Sequence, residues 1–231
     1  MALPSLKAQF DALLKLPSIS CTQDDMDQSN LPVVHLLASW LGDLGFACEI
    51  QPIPGEAGKA NLIATLGSGP GGLVMAGHTD TVPCNPERWQ HDPFKLTEQD
   101  GRWYGLGSCD MKGFFPLIIE AVRSYVDQPF KQPLIVLATA DEESSMSGAR
   151  ALVASGLPKA RHAVIGEPTG LKPIRVHKGI MMERIDITGQ AGHSSDPALG
   201  NNAMEAMHNV ISELMTLRSG WQKRWNNPLF G

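Results

Sequence analysis

Three short apolar segments of this sequence each end directly before a polar cluster. The clusters are His78-Thr79-Asp80, Asp141-Glu142-Glu143 and Gly166-Glu167. Short apolar segments rich in β-branched residues predict buried strands. In an open α/β sheet the ligand crevice lies just past the carboxyl ends of the strands. We therefore expect the three polar clusters to converge on one site.

Helical and strand-like patterns alternate along most of the chain. Two segments with apolar residues at helical spacing come first, Leu6–Leu14 and 31–44, and further helical patterns lie at 113–126 and 146–154. The strand-like segments are 48–53, 61–66, 73–76, 134–138 and 163–165. This alternation predicts an α/β fold with a mainly parallel sheet flanked by helices.

The pattern changes after Pro173. Residues 180–188 alternate as in a strand, glycines then interrupt the alternation, and residues 203–217 return to helical spacing. We place a domain boundary near Lys178 and Gly179, so that residues 1–178 form one domain and residues 179–231 begin a second.

Charge and cysteine content argue against several classes of partner and site. The chain has 19 basic and 24 acidic residues, a net charge of −5, and no cluster of Lys or Arg that could neutralise a run of phosphates, so we expect no nucleic-acid partner. The start of the sequence lacks a leader pattern, and no apolar stretch approaches the roughly 20 residues that span a bilayer. We expect a cytoplasmic protein without a membrane partner. The four cysteines form no Cys-x-x-Cys pair, which predicts free thiols.

The polar clusters have the chemistry of a divalent metal site. One imidazole and several carboxylates in one cleft need a cation to offset the repulsion among the carboxylates, and zinc is the leading candidate for such a nitrogen and oxygen mixture. Asp80 is placed to accept the second N–H of His78, and Asp110 can join the site from a glycine-rich loop. Glu142 and Glu143 point to opposite sides in extended backbone, so one suits a ligand and the other proton transfer. The residues leave open which does which, and a salt-bridged cluster without metal is the alternative.

Five motifs carry a resemblance to a known family. They are Gly-His-Thr-Asp-Thr-Val-Pro (77–83), Gly-x-Cys-Asp-Met-Lys-Gly (107–113), Asp-Glu-Glu (141–143), Gly-Glu-Pro (166–168) and Gly-His-Ser-Ser (192–195). Together they resemble the co-catalytic metallopeptidase family that contains N-acetylornithine deacetylase, succinyl-diaminopimelate desuccinylase and carboxypeptidase G. The resemblance extends over essentially the whole chain and is greatest to the deacetylase members.

The resemblance implies a division of roles among the acidic residues. His78 and Glu167 would hold one metal ion, Glu143 would bind a second, and Asp110 would bridge both. Glu142 would be the general base that takes a proton from water and returns it to the leaving amine.

Three further features follow from the same resemblance. Asp80 would orient His78, the peptide bond after Asp110 would be cis, and His193 would contact the oxyanion or the substrate. In the family this last residue reaches the active site of the other subunit, which implies a homodimer for the full-length protein. From the residues alone, Gly-His-Ser-Ser could also form a turn that caps the next helix.

The activity implied is amide hydrolysis by two zinc ions, for which cobalt can substitute. The expected reaction is deacetylation of N2-acetyl-L-ornithine to L-ornithine and acetate, in arginine biosynthesis. Desuccinylation or hydrolysis of another N-acyl amino acid is the alternative, and a non-catalytic metal-binding or dimerising module is an alternative of another class. The family has a further histidine ligand late in a longer chain. We therefore expect an N-terminal portion, in which residues 179–231 begin a lid or dimerisation domain.

Overall fold

The chain divides into two units in its computed structural model, which describes residues 3–228. One unit ends at Leu171 and the other begins at Lys172. The assignment of one domain to residues 1–178 and the start of another to 179–231 stays a prediction.

The first unit is built from helices and short strands close to the predicted segments. Its helices are α1 (Leu6–Leu14), α2 (Leu31–Asp43), α3 (Phe114–Arg123) and α4 (Ser147–Ser155), with one 3-10 turn at Pro86–Arg88. Its strands are β1 (Ala47–Pro52), β2 (Ala60–Leu66), β3 (Leu73–His78), β4 (Thr97–Gln99), β5 (Arg102–Tyr104), β6 (Leu134–Thr139) and β7 (His162–Ile165). The strand patterns missed only the hairpin β4–β5, whose strands are too short to show a period.

Five strands form one mixed sheet in the order β1-β2-β6-β3-β7. Strand β3 pairs in parallel with β6 and β7, whereas β2 pairs antiparallel with β1 and β6. The loop between β1 and β2 is too short for the crossover that parallel strands require, so these two strands must run antiparallel. The α/β class is confirmed, and the parallel part of the sheet is the part that carries the three polar clusters.

Helices cover both faces of this sheet. On one face, α2 and α3 pack with Leu37 and Phe115 against a core that includes Val136 of β6. On the other face, Leu152 of α4 packs with Ile135. Because successive side chains of a strand point to opposite faces, β6 is apolar throughout its buried length. Packing on both faces therefore fixes β6, and its carboxyl end leads into the segment that carries Glu142 and Glu143.

The second unit contains a 3-10 turn at Pro197–Leu199 and one long helix, α5 (Ala203–Arg224). The side chain of Asn202 caps this helix by accepting a hydrogen bond from the amide of Met204. Helix α5 confirms the helical pattern at 203–217. The expected strand at 180–188 does not form, because no described segment pairs with it and a strand needs a neighbour for its main-chain hydrogen bonds.

In the part of the chain that the structure describes, every helix is too short or too polar to span a bilayer.

Candidate metal centre

The three polar clusters lie together at the carboxyl ends of the parallel strands. His78 is the last residue of β3, and its Cα pairs with that of Thr139, the last residue of β6. Glu142 and Glu143 follow β6, and Glu167 follows β7. The register of the sheet therefore brings the strand ends to one edge, as the sequence predicted.

The imidazole of His78 faces a group of carboxylates. Its Nε2 lies 3.3 Å from Oδ1 of Asp110, 3.8 Å from Oε1 of Glu167 and 3.9 Å from Oε2 of Glu142. The His78 side chain is buried, whereas half of the Asp110 side chain is exposed. The imidazole thus forms the floor of the cluster, and the carboxylates form a rim open to solvent.

Within residues 3–228, two overlapping sets of side chains have ligand atoms close enough to share a metal ion. One set is His78, Asp110 and Glu143, the other is His78, Glu142 and Glu167, and within each the ligand atoms lie within 4.8 Å of one another. Glu142 and Glu143 each belong to one set, so distance alone does not separate the ligand from the base. The division of roles between them stays a prediction.

The tautomer of His78 suits metal binding. Its Nδ1 lies 3.0 Å from the main-chain carbonyl oxygen of Asp80, and since a carbonyl only accepts, Nδ1 must carry a hydrogen. In the neutral ring Nε2 then has its lone pair directed at the carboxylates. The carboxylate of Asp80 is farther away, with Oδ1 at 3.6 Å from Nδ1, so the main chain of Asp80 makes the closer contact.

Asp80 also holds the segment that carries the glutamates. Its buried carboxylate accepts a hydrogen bond of 3.0 Å from the main-chain amide of Glu143. Burial raises the pKa of Asp80, but the His78 ring and the amides of Glu143 and Glu142 outweigh burial and lower it below its ordinary value. This link was not predicted, because a main-chain donor leaves no signal in residue type.

The electrostatics of the cluster favour a bound cation. Burial lowers the pKa of His78, but Asp80, Glu167 and Glu142 outweigh burial and raise it to about 9. Burial and the neighbouring carboxylates, Asp110 first among them, raise the pKa of both Glu143 and Glu167. Like charges crowded around one imidazole are relieved by a divalent metal, for which oxygen and nitrogen donors are suitable ligands. The residues therefore fit a metal ion.

The peptide bond between Asp110 and Met111 is cis, as the resemblance implies. The neighbouring Cys109 is exposed, and all four cysteines of the chain are free, as predicted.

His193 lies in the second unit and has only local partners among the contacts that the structure describes. Its Nδ1 accepts a hydrogen bond from the amide of Ser195 at 3.2 Å and lies 2.7 Å from the Ser195 hydroxyl oxygen. Its carbonyl accepts from the amide of Asp196, which closes a turn. These contacts match the interpretation of Gly-His-Ser-Ser as a turn, and the role of His193 in catalysis stays a prediction.

Comparisons with known proteins found a matching family model and two similar sequences. The model of peptidase family M20/M25/M40 matches residues 74–222. Acetylornithine deacetylase of Edwardsiella ictaluri (strain 93-146) is 54% identical over 228 residues, which cover 99% of this chain and 60% of that protein. Acetylornithine deacetylase of Proteus mirabilis (strain HI4320) is also 54% identical over 228 residues, covering 99% of this chain and 59% of that protein. The chain thus spans about three fifths of the length of these curated relatives.

A solved structure, human carnosine dipeptidase 1, has a similar fold. Its TM-score is 0.61 at 23% sequence identity, and the match covers 69% of this chain and 38% of that one. At this identity the likeness supports the fold alone.

Proposed function

Since this chain belongs to peptidase family M20/M25/M40, we propose that it carries the metal-binding part of an enzyme that hydrolyses N2-acetyl-L-ornithine to L-ornithine and acetate. The observation that supports a hydrolytic site is the buried His78 imidazole, whose Nε2 faces Asp110, Glu142 and Glu167 within 3.9 Å. The name of the relatives at 54% identity supports the substrate.

The proposed metal is zinc, as two ions, with cobalt as a substitute. His78 and Glu167 would hold one ion, Glu143 the other, and Asp110 would lie between them. When bound, these ions would supply Lewis acidity for the amide carbonyl and lower the pKa of water.

Glu142 is the proposed general base. Its carboxylate lies at the rim of the cluster with more than a third of the side chain exposed, so water and substrate can reach it. It would take a proton from the attacking water and pass it to the amide nitrogen. Ornithine then leaves with that nitrogen as a neutral amino group. Asp80 would keep His78 and the amide of Glu143 in place during this transfer.

We further propose that the whole protein is a homodimer in the cytoplasm and acts in arginine biosynthesis. His193 would contact the substrate in the site of the partner subunit. These are the predictions of the sequence resemblance, and they extend to the whole protein rather than to this chain.

A second candidate is a metal-binding module without catalysis. Among the described residues, the two sets that could hold a metal contain the same single histidine, His78. Since only Nε2 of this ring is free to bind, one of the two proposed ions would have oxygen ligands alone, and zinc binds such a set less tightly than one that includes an imidazole. This observation favours the second candidate for the chain taken alone.

A substrate panel with metal titration tests both candidates. The chain is loaded with Zn2+ or Co2+ and assayed with N2-acetyl-L-ornithine and N-succinyl-diaminopimelate. Preferential hydrolysis of the acetyl substrate supports the deacetylase, and preferential hydrolysis of the succinyl substrate contradicts it. Metal binding without hydrolysis of either substrate supports the module.

A further inference from the structure

A buried charged cluster lies beside the candidate metal centre and takes no part in the mechanism proposed above. It consists of Lys59, which directly precedes β2, Asp141, which directly precedes the two glutamates, and the hydroxyl groups of Ser20 and Ser147. The side chains of Lys59 and Asp141 are 3% and 6% exposed. Removing an ammonium and a carboxylate from water is costly, so such a pair persists only where its partners are well arranged.

The carboxylate of Asp141 is held from three directions. Its Oδ1 accepts hydrogen bonds from Nζ of Lys59 at 2.7 Å and from Oγ of Ser20 at 3.1 Å. Its Oδ2 accepts a hydrogen bond from Oγ of Ser147 at 2.8 Å. These donors come from the start of β2, the loop after α1 and the start of α4, so three separate parts of the fold fix one side chain.

The main chain at Asp141 turns sharply. Its φ is +55°, in the left-handed region that residues with a side chain adopt rarely, and its carbonyl accepts a hydrogen bond from the amide of Met146 at 2.6 Å. A residue in this conformation needs surrounding contacts that hold it there. The turn sends the chain from the end of β6 toward the site, where Glu142 and Glu143 follow.

The two glutamates therefore lie between two anchored aspartates. Asp141 is fixed on one side by Lys59, and Asp80 accepts the amide of Glu143 on the other. Lys59 also donates to Oδ1 of Asp27 at 2.8 Å, and the two carboxylates outweigh burial and raise the pKa of Lys59 above its ordinary value. The ammonium is therefore present at neutral pH.

We propose that Lys59 is a positioning residue, which acts through Asp141 to fix the turn that presents Glu142 and Glu143 to the metal ions and the substrate. The predicted loss of turnover in variants of Lys59 rests on the proposed metal-dependent hydrolysis. The predicted loss of metal affinity does not depend on the substrate. A residue that only filled the core would change the stability of the fold without changing the metal affinity of the folded chain.

The test compares Lys59→Met and Asp141→Asn with the matched control Asp27→Asn, which removes the negative charge of the second partner of Lys59 and leaves Asp141 in contact. Zn2+ affinity is measured by competition with a chelator, on variants whose folding is checked by circular dichroism. Each of the first two variants is expected to bind Zn2+ about 10-fold or more weakly, as for other residues that support metal ligands. Asp27→Asn is expected to bind as the wild type does.

Because Lys59 and Asp141 are proposed to act as one unit, the double variant should lose no more affinity than either single variant. In an active protein, kcat for N2-acetyl-L-ornithine should fall while KM stays constant. Folded Lys59→Met with unchanged Zn2+ affinity, or Asp27→Asn with the same loss as Lys59→Met, would overturn the proposal. Metal binding without hydrolysis by the wild type would overturn the deacetylase assignment alone.

If Lys59→Met does not fold, Ser147→Ala replaces it. This change removes one hydrogen bond to Asp141 without leaving a buried charge unpaired. A weakening of Zn2+ binding by about threefold, the effect of one hydrogen bond, supports the proposal, and unchanged affinity overturns it.

Discussion

The main-chain amide of Glu143 donates a hydrogen bond of 3.0 Å to the buried carboxylate of Asp80. The carbonyl oxygen of the same aspartate lies 3.0 Å from Nδ1 of His78. One residue thus contacts two others that are proposed to bind metal. His78 is the last residue of β3 and Glu143 follows β6, and these two strands are neighbours in the sheet.

Removing the Asp80 carboxylate should therefore weaken metal binding. We expect Asp80→Ala to lower the affinity for Zn2+ by about 10-fold to 100-fold, because Glu143 loses its main-chain anchor and His78 loses a nearby negative charge. Isothermal titration calorimetry measures this loss. The exposed Asp127→Ala is the control, and an Asp80→Ala protein that binds Zn2+ as tightly as this control would contradict the account.

Replacing Glu142 and replacing Glu143 should have different effects on metal content and turnover. Glu142→Gln is expected to keep its metal content and lose turnover, since the amide cannot accept the proton from water. Glu143→Gln is expected to lose metal, since a neutral amide is a poorer ligand than a carboxylate. Metal analysis and a deacetylation assay on both variants check this, and the reverse result would exchange their roles.

Metal binding should release protons at neutral pH. In the metal-free chain the pKa of His78 is raised to about 9, so both of its nitrogens carry hydrogen at pH 7.5 and Nε2 must lose one to bind a metal. We expect a release of about one proton per site and an affinity that increases as the pH rises toward the pKa. Calorimetry in two buffers with different ionisation enthalpies counts the protons, and a heat that is the same in both would contradict the prediction.

Close packing behind the glutamate turn should make Gly148 difficult to replace. A Cβ at this position would clash with Oδ1 of Asn61 and lie 2.6 Å from the main-chain nitrogen of Ala140. We expect Gly148→Ala to lower the free energy of unfolding by about 1–3 kcal/mol, as overpacking does elsewhere. The control is Gly42→Ala in α2, where a Cβ meets nothing within 4 Å. Thermal denaturation measures both, and equal stability of the two variants would contradict the expectation.

The positions of the strands and of most site residues could be predicted, because both leave a local signal. The strand before His78 is a short apolar run, and the acidic residues follow such runs directly. Where the signal was local, the predicted and observed segments agree within a few residues, as for β3 and α2.

Features that depend on distant partners could not be predicted. The alternation at 180–188 indicates a strand, but a strand also needs a neighbour, and none of the described segments provides one. The importance of Lys59 depends on Asp141, which lies 82 positions away in sequence. Likewise, the contact of His78 with the main chain of Asp80 depends on backbone geometry that residue types do not reveal.

The central claim is that His78 and the surrounding carboxylates bind a divalent metal ion. Its most direct test is the metal content of the purified chain and of His78→Ala after Zn2+ loading and dialysis, measured by mass spectrometry of the metal. We predict that the wild type retains Zn2+ and that His78→Ala, with its fold intact by circular dichroism, does not. Equal zinc in the two proteins, or none in the wild type, would contradict the account.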